Sequence, residues 1–496
     1  MHRHVRTTLA TAAAAALTGG LLVATAGGAI AAEPSGIQGD FNGDGYRDLA
    51  VGAPNATIDG KARAGAVGIV YGTKNGLDTT KRAVFSQATT GIPGTPEKDD
   101  AFGEQLVSGD LDGDGYADLV VGIPHEVNGP LTDWPSTGRL TVLWGGAQGL
   151  ASATDITSPL GGISSLARSL VAGDFDGDGH VDLAVNSETG QELYRYFDID
   201  VLKGPFTRTG SGAARIHLDP LEETGTDAKQ LVAGDVNGDD KTDLLVMGTG
   251  GYPYPEDSMP SRLYLGDSAG LKLSGTLAHA GNDFADRQAG AIADVDHDGY
   301  GDLITTNPTD WADDGPVLGG SVLVTYGSAT GLSERAPVRI TQDTEGVPGT
   351  AEQVDRFGQN VAAGDTDGDG YADLVVGVPG EDLGDKADAG MTVVLRGSAS
   401  GLTGTGAVDF TQGSGGATGS SEAGDKFGSA VRLTDFNGDG RADLAIGAVG
   451  EDSGAGRVWQ LKGSATGITT TGSTAFASPA LGGPSGPVAF GSSFSD

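Results

Sequence analysis

The sequence predicts an all-β fold, a seven-bladed β-propeller of four-stranded blades, and three observations support it. A ten-residue phrase rich in aspartate occurs seven times along the 496 residues, at spacings of 59 to 71 residues. Short apolar runs that end at Gly-x-Pro or at a glycine-rich turn flank most copies, and such runs are typical of strands. A four-stranded unit of this size cannot bury both faces alone, and the radial packing of such units gives a propeller.

The second repeat, which has the fullest form of the phrase, shows the four strands in order. Residues 102–109 lead into the phrase and residues 119–124 leave it. A polar loop precedes the alternating run 140–144, which indicates a half-buried strand. A turn at residues 145–149 then leads to a fourth strand near residues 151–158. The third strand and its turn recur in nearly every repeat, so the same order is predicted throughout.

The repeated phrase has the ligand pattern of a calcium loop. Positions 1, 3, 5 and 9 carry aspartate or, at position 3 of three copies, asparagine, and the carbonyl of position 7 can add another oxygen. Calcium takes about six to eight oxygens in a loop that bends at a glycine, which is position 6 here. The pattern predicts up to seven Ca²⁺ ions, in loops 40–48, 110–118, 174–182, 235–243, 294–302, 365–373 and 435–443.

Each loop supplies five candidate ligands, from positions 1, 3, 5, 7 and 9. In loop order they are Asp40, Asn42, Asp44, Tyr46, Asp48; Asp110, Asp112, Asp114, Tyr116, Asp118; Asp174, Asp176, Asp178, His180, Asp182; Asp235, Asn237, Asp239, Lys241, Asp243; Asp294, Asp296, Asp298, Tyr300, Asp302; Asp365, Asp367, Asp369, Tyr371, Asp373; and Asp435, Asn437, Asp439, Arg441, Asp443. The fourth loop departs most from the pattern, because Asp240 stands where the others have glycine. A single acidic turn is usually only solvated, but seven copies at similar spacing argue against that interpretation.

An EF-hand begins with the same phrase and is excluded. It flanks its loop with helices and places a glutamate at position 12. Here position 12 is Val121 in the second copy and Val376 in the sixth, within short apolar runs that stop at Gly-x-Pro. The loops are therefore predicted to join β-strands.

Phe-Gly before the loop and Gly-x-Pro after it resemble the FG-GAP repeats that build the seven-bladed head of integrin α subunits. The matching residues are Phe102-Gly103, Phe357-Gly358 and Phe427-Gly428, with Gly52-Ala53-Pro54, Gly122-Ile123-Pro124 and Gly377-Val378-Pro379. The resemblance covers residues 34–496 and is strong in repeats 1, 2, 6 and 7, whereas repeats 3 to 5 lose Phe-Gly and residues 161–201 diverge most. It implies a secreted protein of bacterial type, with structural calcium on one face of the propeller and ligand binding on the other.

The two ends of the repeat region complement each other. The first copy begins almost at its aspartate loop, without a Phe-Gly strand, whereas residues 490–496 are the start of a repeat without the rest of it. We expect this last segment to supply the missing first strand of blade 1. Such a clasp leaves no open sheet edge.

Residues 1–31 have the features of a secretory signal peptide: a basic start, an Ala/Leu/Val-rich run and the motif Ala29-Ile30-Ala31. The alternative is an uncleaved membrane anchor, but Gly19-Gly20 and Gly27-Gly28 interrupt the run. We expect residues 32–496 to be a secreted propeller domain without stable membrane insertion, because no later apolar segment is long enough to span a bilayer. The chain has no cysteine, so bound metal is the candidate for the stabilisation that disulfides give other secreted proteins.

The charge of the chain restricts its partners. The formal net charge is −37, and removal of Arg3 and Arg6 with the signal peptide makes it −39. Seven Ca²⁺ ions would leave most of this negative charge, so nucleic acid and anionic membranes are excluded as partners. We expect a monomer that binds an extracellular protein or polysaccharide through aromatic and acidic loops opposite the calcium loops. The aromatic candidates, which could instead pack against their own loops, are Trp134, Tyr252, Tyr254 and Trp311.

Enzyme motifs are weak. Residues 266–270 match the nucleophile pattern G-x-S-x-G, but they align with the third-strand turn of other repeats, such as residues 327–331. The acidic pairs Glu381-Asp382 and Glu451-Asp452 could serve a glycosidase, but they recur at matching repeat positions, which favours a structural role. The predicted function is a calcium-binding extracellular binding or adhesion module. The alternative is a propeller enzyme, a hydrolase or lyase, that acts on extracellular polysaccharide.

Overall fold

The computed structural model describes residues 35–128, 136–156, 168–191, 194–210, 214–218, 230–247, 261–277, 289–312, 315–413 and 417–495. The predicted signal peptide lies outside the described residues and stays a prediction. No helix among the described residues has the length and apolar character needed to cross a membrane.

Seven antiparallel sheets follow one another along the chain, and each is made from one repeat. The strands are Leu49–Ala53, Ala66–Tyr71 and Asp78–Phe85 in blade 1; Gln105–Gly109, Asp118–Asn128, Ser136–Trp144 and Ser152–Asp155 in blade 2; Leu170–Gly173, Asp182–Gln191, Tyr194–Leu202 and Arg215–Leu218 in blade 3; Gln230–Gly234, Asp243–Met247, Ser261–Asp267 and Gly270–Leu277 in blade 4; Gly290–Ala293, Asp302–Asn307, Ser321–Thr325 and Val338–Ile340 in blade 5; Val361–Gly364, Asp373–Val378, Met391–Arg396 and Thr403–Phe410 in blade 6; and Phe427–Thr434, Asp443–Ala448, Arg457–Lys462 and Thr469–Phe476 in blade 7. Within each blade, strands that are consecutive in the chain are neighbours in the sheet. The predicted all-β propeller of seven four-stranded blades is confirmed, since a C-terminal segment completes blade 1.

A few short elements stand outside the blades. Blade 5 carries two hairpins, Trp311–Ala312 with Gly315–Pro316 and Gly327–Ser328 with Gly331–Leu332. The helix Glu451–Gly454 lies in blade 7, and the 3-10 helix Ser478–Leu481 follows it.

The first strands of the blades are arranged around a shared central cavity of about 820 Å³. Every repeat contributes a lining segment: residues 105–110, 168–174, 230–234, 290–292, 360–363, 430–432 and, for blade 1, residues 492–494. The second strands, such as Leu49–Ala53 and Asp443–Ala448, are buried along their whole length. Apart from the aspartate that begins most of them, they are mainly apolar, because a neighbouring blade covers each face of the sheet. The core therefore lies between blades, as where Ile69 of blade 1 packs with Leu119 and Val121 of blade 2.

The C-terminal segment closes the ring as predicted. The backbone N–H of Gly52 donates to the Ser493 carbonyl at 2.9 Å, and the N–H of Gly491 donates to the Gly52 carbonyl at 3.0 Å. Phe490 is 1% exposed and packs with Phe476 of blade 7 in one apolar cluster. The segment thus joins blade 1 to blade 7.

The Phe-Gly signature marks a close approach between consecutive blades. The N–H of Phe102 donates to the Ala64 carbonyl at 3.0 Å, and a Cβ added to Gly65 would lie 2.3 Å from the Phe102 nitrogen. Only glycine fits there, and its φ of 87° is also one that glycine adopts freely. Phe490 approaches Gly456 in the same way, so it acts as the Phe-Gly strand of the first blade.

One expectation about strands needs correction. In blade 2 the second strand does not stop at Pro124: pairing with the third strand is interrupted between Ile123 and Val127 and then resumes to Asn128. Proline has no N–H, so it breaks the ladder locally, but Val127 and Asn128 beyond it still pair. Blade 3, which contains most of the divergent residues 161–201, is a regular four-stranded sheet in the described residues.

The G-x-S-x-G match is a hairpin turn, as predicted. Strands Ser261–Asp267 and Gly270–Leu277 pair directly, with Asp267 opposite Gly270. The serine therefore lies in a two-residue β-turn and not on a strand-to-helix elbow.

Candidate metal centre

The aspartate loops of blades 2 to 7 join the first strand of the blade to the second, and that of blade 1 leads into its second strand. Every loop is wound around its position 1 carboxylate. In loop 2, Asp110 Oδ1 accepts the N–H groups of Gly113 and Asp114 at 2.9 and 3.1 Å, and Oδ2 accepts the N–H of Gly115 at 2.8 Å. Charge-assisted bonds of this kind hold a tight turn. The same carboxylate therefore shapes the loop and faces its interior.

Positions 4 and 6 both need a positive φ. Gly113 and Gly115 have φ of 74° and 86°. His297 replaces the glycine of position 4 in loop 5 with φ 59°, and Asp240 replaces that of position 6 in loop 4 with φ 65°. The Asp240 N–H still donates to Asp235 Oδ2 at 2.9 Å, so the fourth loop keeps the common backbone shape. The requirement at position 4 was missed, although glycine occupies it in six of the seven copies.

The position 9 aspartate ties the loop to the end of the third strand. Asp118 is fully buried; its Oδ2 accepts the N–H of Leu111 at 2.9 Å and its Oδ1 accepts the N–H of Gly145 at 2.7 Å. In all seven blades Oδ1 accepts the N–H of a glycine at or just after the end of the third strand, at 2.7 to 3.0 Å; these glycines are Gly72, Gly145, Gly204, Gly266, Gly327, Gly397 and Gly463. Sequence reasoning missed this bond, although the recurring glycine was its signal.

Burial raises the pKa of most of these position 9 carboxyls, and the nearby carboxylates of positions 1, 3 and 5 raise it further. The pKa rises to about 8 for Asp48, to about 7 for Asp118 and Asp443, and to about 6 for Asp182, Asp243 and Asp302. Backbone hydrogen bonds offset part of this rise. The ionised form therefore gains from a cation placed among the carboxylates.

Carboxylates of positions 1, 3 and 9 converge in four loops. In loops 2, 3, 5 and 6 one oxygen from each lies within 4.8 Å of the other two. Asp112 Oδ1, Asp182 Oδ2 and Asp296 Oδ1 are buried and have no hydrogen-bond partner among the described residues. Unpaired buried carboxylate oxygens are costly, and oxygen ligands suit a hard cation such as Ca²⁺. The donor set therefore fits calcium.

Positions 5 and 7 lie beside these clusters. In every loop the N–H of position 7 donates to Oδ1 of position 5, as from Tyr116 to Asp114 at 3.1 Å. The Asp114 side chain is 37% exposed. The structure thus groups positions 1, 3 and 9 and leaves the predicted ligand role of positions 5 and 7 as a prediction.

Successive loops lie side by side at one end of the blades. A backbone N–H at position 8 of one loop donates to the position 1 carbonyl of the preceding loop, as from Ala117 to Asp40 at 3.0 Å and from Ala442 to Asp365 at 2.7 Å. The same bond links loops 3 to 4, 4 to 5 and 5 to 6. A shift in the backbone of one loop therefore alters a hydrogen bond of its neighbour.

The acids at the opposite end have side-chain and backbone partners. Glu381 accepts a hydrogen bond from the Gln342 amide at 2.8 Å, and Glu451 accepts one from Gln412 at 2.6 Å. Asp452 pairs with Arg457 at 3.0 Å. These contacts give the two acidic pairs a packing role between blades. Of the aromatic candidates, Trp134, Tyr252 and Tyr254 lie outside the described residues, and Trp311 lies in a short strand.

A family profile described as FG-GAP repeat matches residues 35–70, 102–143, 166–193, 357–395 and 427–459. This chain carries FG-GAP repeats. The matched segments fall in blades 1, 2, 3, 6 and 7, so the profile finds the third FG-GAP repeat although it lacks Phe-Gly.

Curated relatives resemble only part of this FG-GAP chain. The phosphatidylinositol-glycan-specific phospholipase D of Rattus norvegicus is 37% identical over 150 residues, which are 30% of this chain and 17% of that protein. Integrin alpha-5 of Xenopus laevis is 41% identical over 85 residues, 17% of this chain and 7% of that protein. The aligned segments thus span 17% of the length of the phospholipase and 7% of the length of the integrin.

Among solved structures, the Dos1 propeller has a TM-score of 0.35 and 12% sequence identity to this chain, and the alignment covers 84% of this chain and 73% of that one. A TM-score this low adds nothing to the fold, which the seven sheets establish by themselves.

Proposed function

We propose that this protein is a secreted, calcium-stabilised propeller that acts as an extracellular binding or adhesion module. One observation carries the calcium part: the carboxylates of positions 1, 3 and 9 converge in four loops, with buried oxygens that have no partner among the described residues. The basic, apolar and A-x-A pattern of residues 1–31 supports secretion. Partial similarity to integrin α subunits supports a role in adhesion.

The metal has a structural role in this proposal. Calcium would neutralise the clustered aspartates, and the residues that hold it are those of positions 1, 3 and 9 with further oxygens from positions 5 and 7. Asp118 of loop 2 is already bonded to Leu111 and Gly145, so the ion's site is tied to two parts of the blade. A cage of protein oxygens lacks the open position that metal catalysis needs.

The partner is an extracellular protein or a polysaccharide, bound at the end of the blades opposite the aspartate loops. The loops there differ in length and sequence from blade to blade, as specific recognition requires. The net charge of −37 disfavours nucleic acid.

Thermal unfolding with and without chelator tests the calcium proposal. Extracellular calcium modules bind at about 10⁻⁴ to 10⁻³ M, so millimolar calcium should fill the sites and EDTA should empty them. We expect Tm to fall in EDTA and to recover when calcium, but not potassium, is added. A Tm that is indifferent to chelator would reject the proposal.

A binding panel tests the partner and separates the two function classes. The mature chain is incubated with matrix proteins and polysaccharides in calcium and in EDTA, and both retention and soluble product are measured. We expect retention without product. Soluble product released from a polysaccharide would instead support the hydrolase or lyase alternative.

A further inference from the structure

Every loop that has aspartate at position 3 also has a basic side chain bound to that aspartate. Arg208 contacts Asp112 at 2.5 Å, Arg335 contacts Asp296 at 2.5 Å, Arg396 contacts Asp367 at 2.7 Å, and Lys203 contacts Asp176. These are loops 2, 5, 6 and 3, the four in which three carboxylates converge. The extra negative charge and the cation therefore occur together.

The three loops with asparagine at position 3 have their cations elsewhere. The amide oxygens of Asn42, Asn237 and Asn437 accept the N–H of position 5 at 2.8, 3.2 and 2.9 Å, a bond that loops 3 and 6 also make through aspartate. The basic side chains of the asparagine loops lie near position 5 instead, as Lys241 lies 3.0 Å from Asp239. Within the part of the chain that the structure describes, no lysine or arginine contacts these amides. Lys462 of blade 7 ends its third strand as Arg396 does in blade 6, yet it forms no ion pair with a described residue. A basic residue at the end of the third strand thus contacts the loop only where position 3 is an aspartate.

The four cations reach their loops by two different routes. Lys203 follows the third strand of blade 3, and Arg396 ends that of blade 6. In blades 2 and 5 the same place is aromatic, and the cation comes from elsewhere and stacks on the ring: Arg208 lies 5.6 Å from the Trp144 centroid and Arg335 lies 3.4 Å from that of Tyr326. Two routes to the same carboxylate argue that the pairing has a function.

Arg208 and Arg335 bind the outer oxygen of their aspartate and leave the inner one without a partner among the described residues. Arg208 contacts Asp112 Oδ2 while Asp112 Oδ1 is buried, and Asp296 shows the same split with Arg335. Arg396 differs, because it also contacts Asp373, and Asp367 Oδ1 accepts the Asp369 N–H. An outer hydrogen bond of this kind orients a ligand toward its metal. It also reduces the repulsion among the three carboxylates when no metal is present.

We propose that Lys203, Arg208, Arg335 and Arg396 are cationic clamps that offset the additional carboxylate at position 3 of their loops. A clamped loop then presents to calcium no more negative charge than it would with an unclamped asparagine at position 3, and it keeps its shape when calcium is absent. The first of these two consequences rests on the proposed calcium binding, whereas the second does not.

Blade 5 offers the cleanest test, because the Arg335 side chain is 41% exposed and can be replaced without opening a cavity. Arg335→Gln, Asp296→Asn and the double variant are melted in EDTA and in millimolar calcium. Arg335→Gln should lower Tm in EDTA by about 1–3 °C and should gain more from calcium than the wild type does, because a cation has left the cluster. The double variant should recover the part of both changes that comes from the charge of Asp296, but not the part that comes from the lost contacts of Arg335 with the Ser400 carbonyl and the Tyr326 ring.

Lys462→Gln is the matched control, and both its melting temperatures should equal those of the wild type. Equal losses in EDTA and in calcium for Arg335→Gln, without rescue by Asp296→Asn, would overturn the clamp. If the wild-type Tm does not respond to calcium, the proposed function fails, but rescue of the EDTA melting temperature in the double variant would still support the clamp.

Discussion

The two ends of the blades are both rich in buried acids, yet they relieve the charge in different ways. At the aspartate loops, three carboxylates of one loop converge, and oxygens such as Asp112 Oδ1 have no partner among the described residues. At the other end, buried glutamates have a donor, as Glu451 meets Gln412 at 2.6 Å, and the buried oxygens without a partner among the described residues are amide oxygens such as Gln412 Oε1. The difference teaches that the number of acids does not identify a metal site, whereas converging carboxylate oxygens without donors do.

At the end opposite the aspartate loops, the buried glutamate of blade 6 has less positive charge beside it than those of blades 2 and 7. Arg139 in blade 2 pairs with Glu126 at 3.0 Å, and Arg457 in blade 7 lies 3.5 Å from Glu451. The corresponding place in blade 6 is Met391, so Glu381 has the Gln342 amide but no arginine. Burial raises the pKa of Glu381 there. We expect this cluster to respond to protons, and the aspartate loops to respond to calcium.

Deletion of residues 488–496 should have the largest effect, because both ends depend on the closed ring. It removes the buried Phe490 and the backbone bonds to Gly52. Loss of a buried phenylalanine side chain alone costs about 3–5 kcal/mol, and we expect the whole deletion to lower Tm by about 10 °C or more. Calorimetry should show this loss in calcium and in EDTA.

Phe490→Leu is the control for that deletion, since it keeps the strand and most of the side-chain volume. Phe490→Leu should lower Tm by only a small part of the decrease that the deletion causes. A deletion variant that melts like the wild type would show that the clasp does not hold the ring.

Substitutions within loop 2 should separate the backbone role of an aspartate from its metal role. Asp118→Ala leaves the buried N–H groups of Leu111 and Gly145 without acceptors, at about 1–3 kcal/mol each, so urea unfolding in EDTA should already show a loss of about 3 kcal/mol. Asp114→Ala removes a partly exposed carboxylate whose partners, the Tyr116 N–H and Arg208, are themselves open to water, so the free energy of unfolding in EDTA should change by less than about 1 kcal/mol. Calcium should raise the free energy of unfolding of Asp114→Ala by less than it raises that of the wild type.

The matched control is Asp118→Asn, which keeps the shape and one acceptor oxygen and should lose less than the alanine variant. Equal losses for Asp118→Ala and Asp114→Ala in EDTA would contradict the backbone role of position 9.

The sequence predicted what is local and repeated. The aspartate spacing, the hairpin at residues 266–270 and the Phe490-Gly491 clasp were all read from short motifs, and the sheets confirm the last two. Apart from the clasp, it did not predict pairings between distant residues. Asp118 meets Gly145 27 positions away, a bond that only the recurring glycine could have indicated, and Arg208 meets Asp112 96 positions away, a contact that leaves no local pattern. Such contacts follow from how blades pack, which spacing alone does not specify.

Lowering the pH should have the smallest effect, and it tests the opposite end. Burial raises the pKa of Asp355 from 3.8 to about 7, and Glu381 and Glu352 raise it further. Between about pH 4 and pH 7 the folded state holds a proton that the unfolded state has lost, so this carboxyl's contribution to stability falls as the pH rises through that window. Asp355→Asn keeps an acceptor for the Glu352 N–H without the charge. It should raise Tm at pH 8 by about 1–2 °C and leave it nearly unchanged at pH 4.

The comparison is made in EDTA and as a difference from the wild type, because the position 9 aspartates titrate in the same window and contribute equally to both proteins. Asp385→Asn, at an exposed position of the same blade, is the control and should follow the wild type at every pH. A difference between Asp355→Asn and the wild type that does not grow from pH 4 to pH 8 would show that this cluster carries no titrating proton. Hydrogen bonds such as that from Gln342 would then be what stabilises the buried acids of this cluster, and protonation would not distinguish this end of the blades from the aspartate loops.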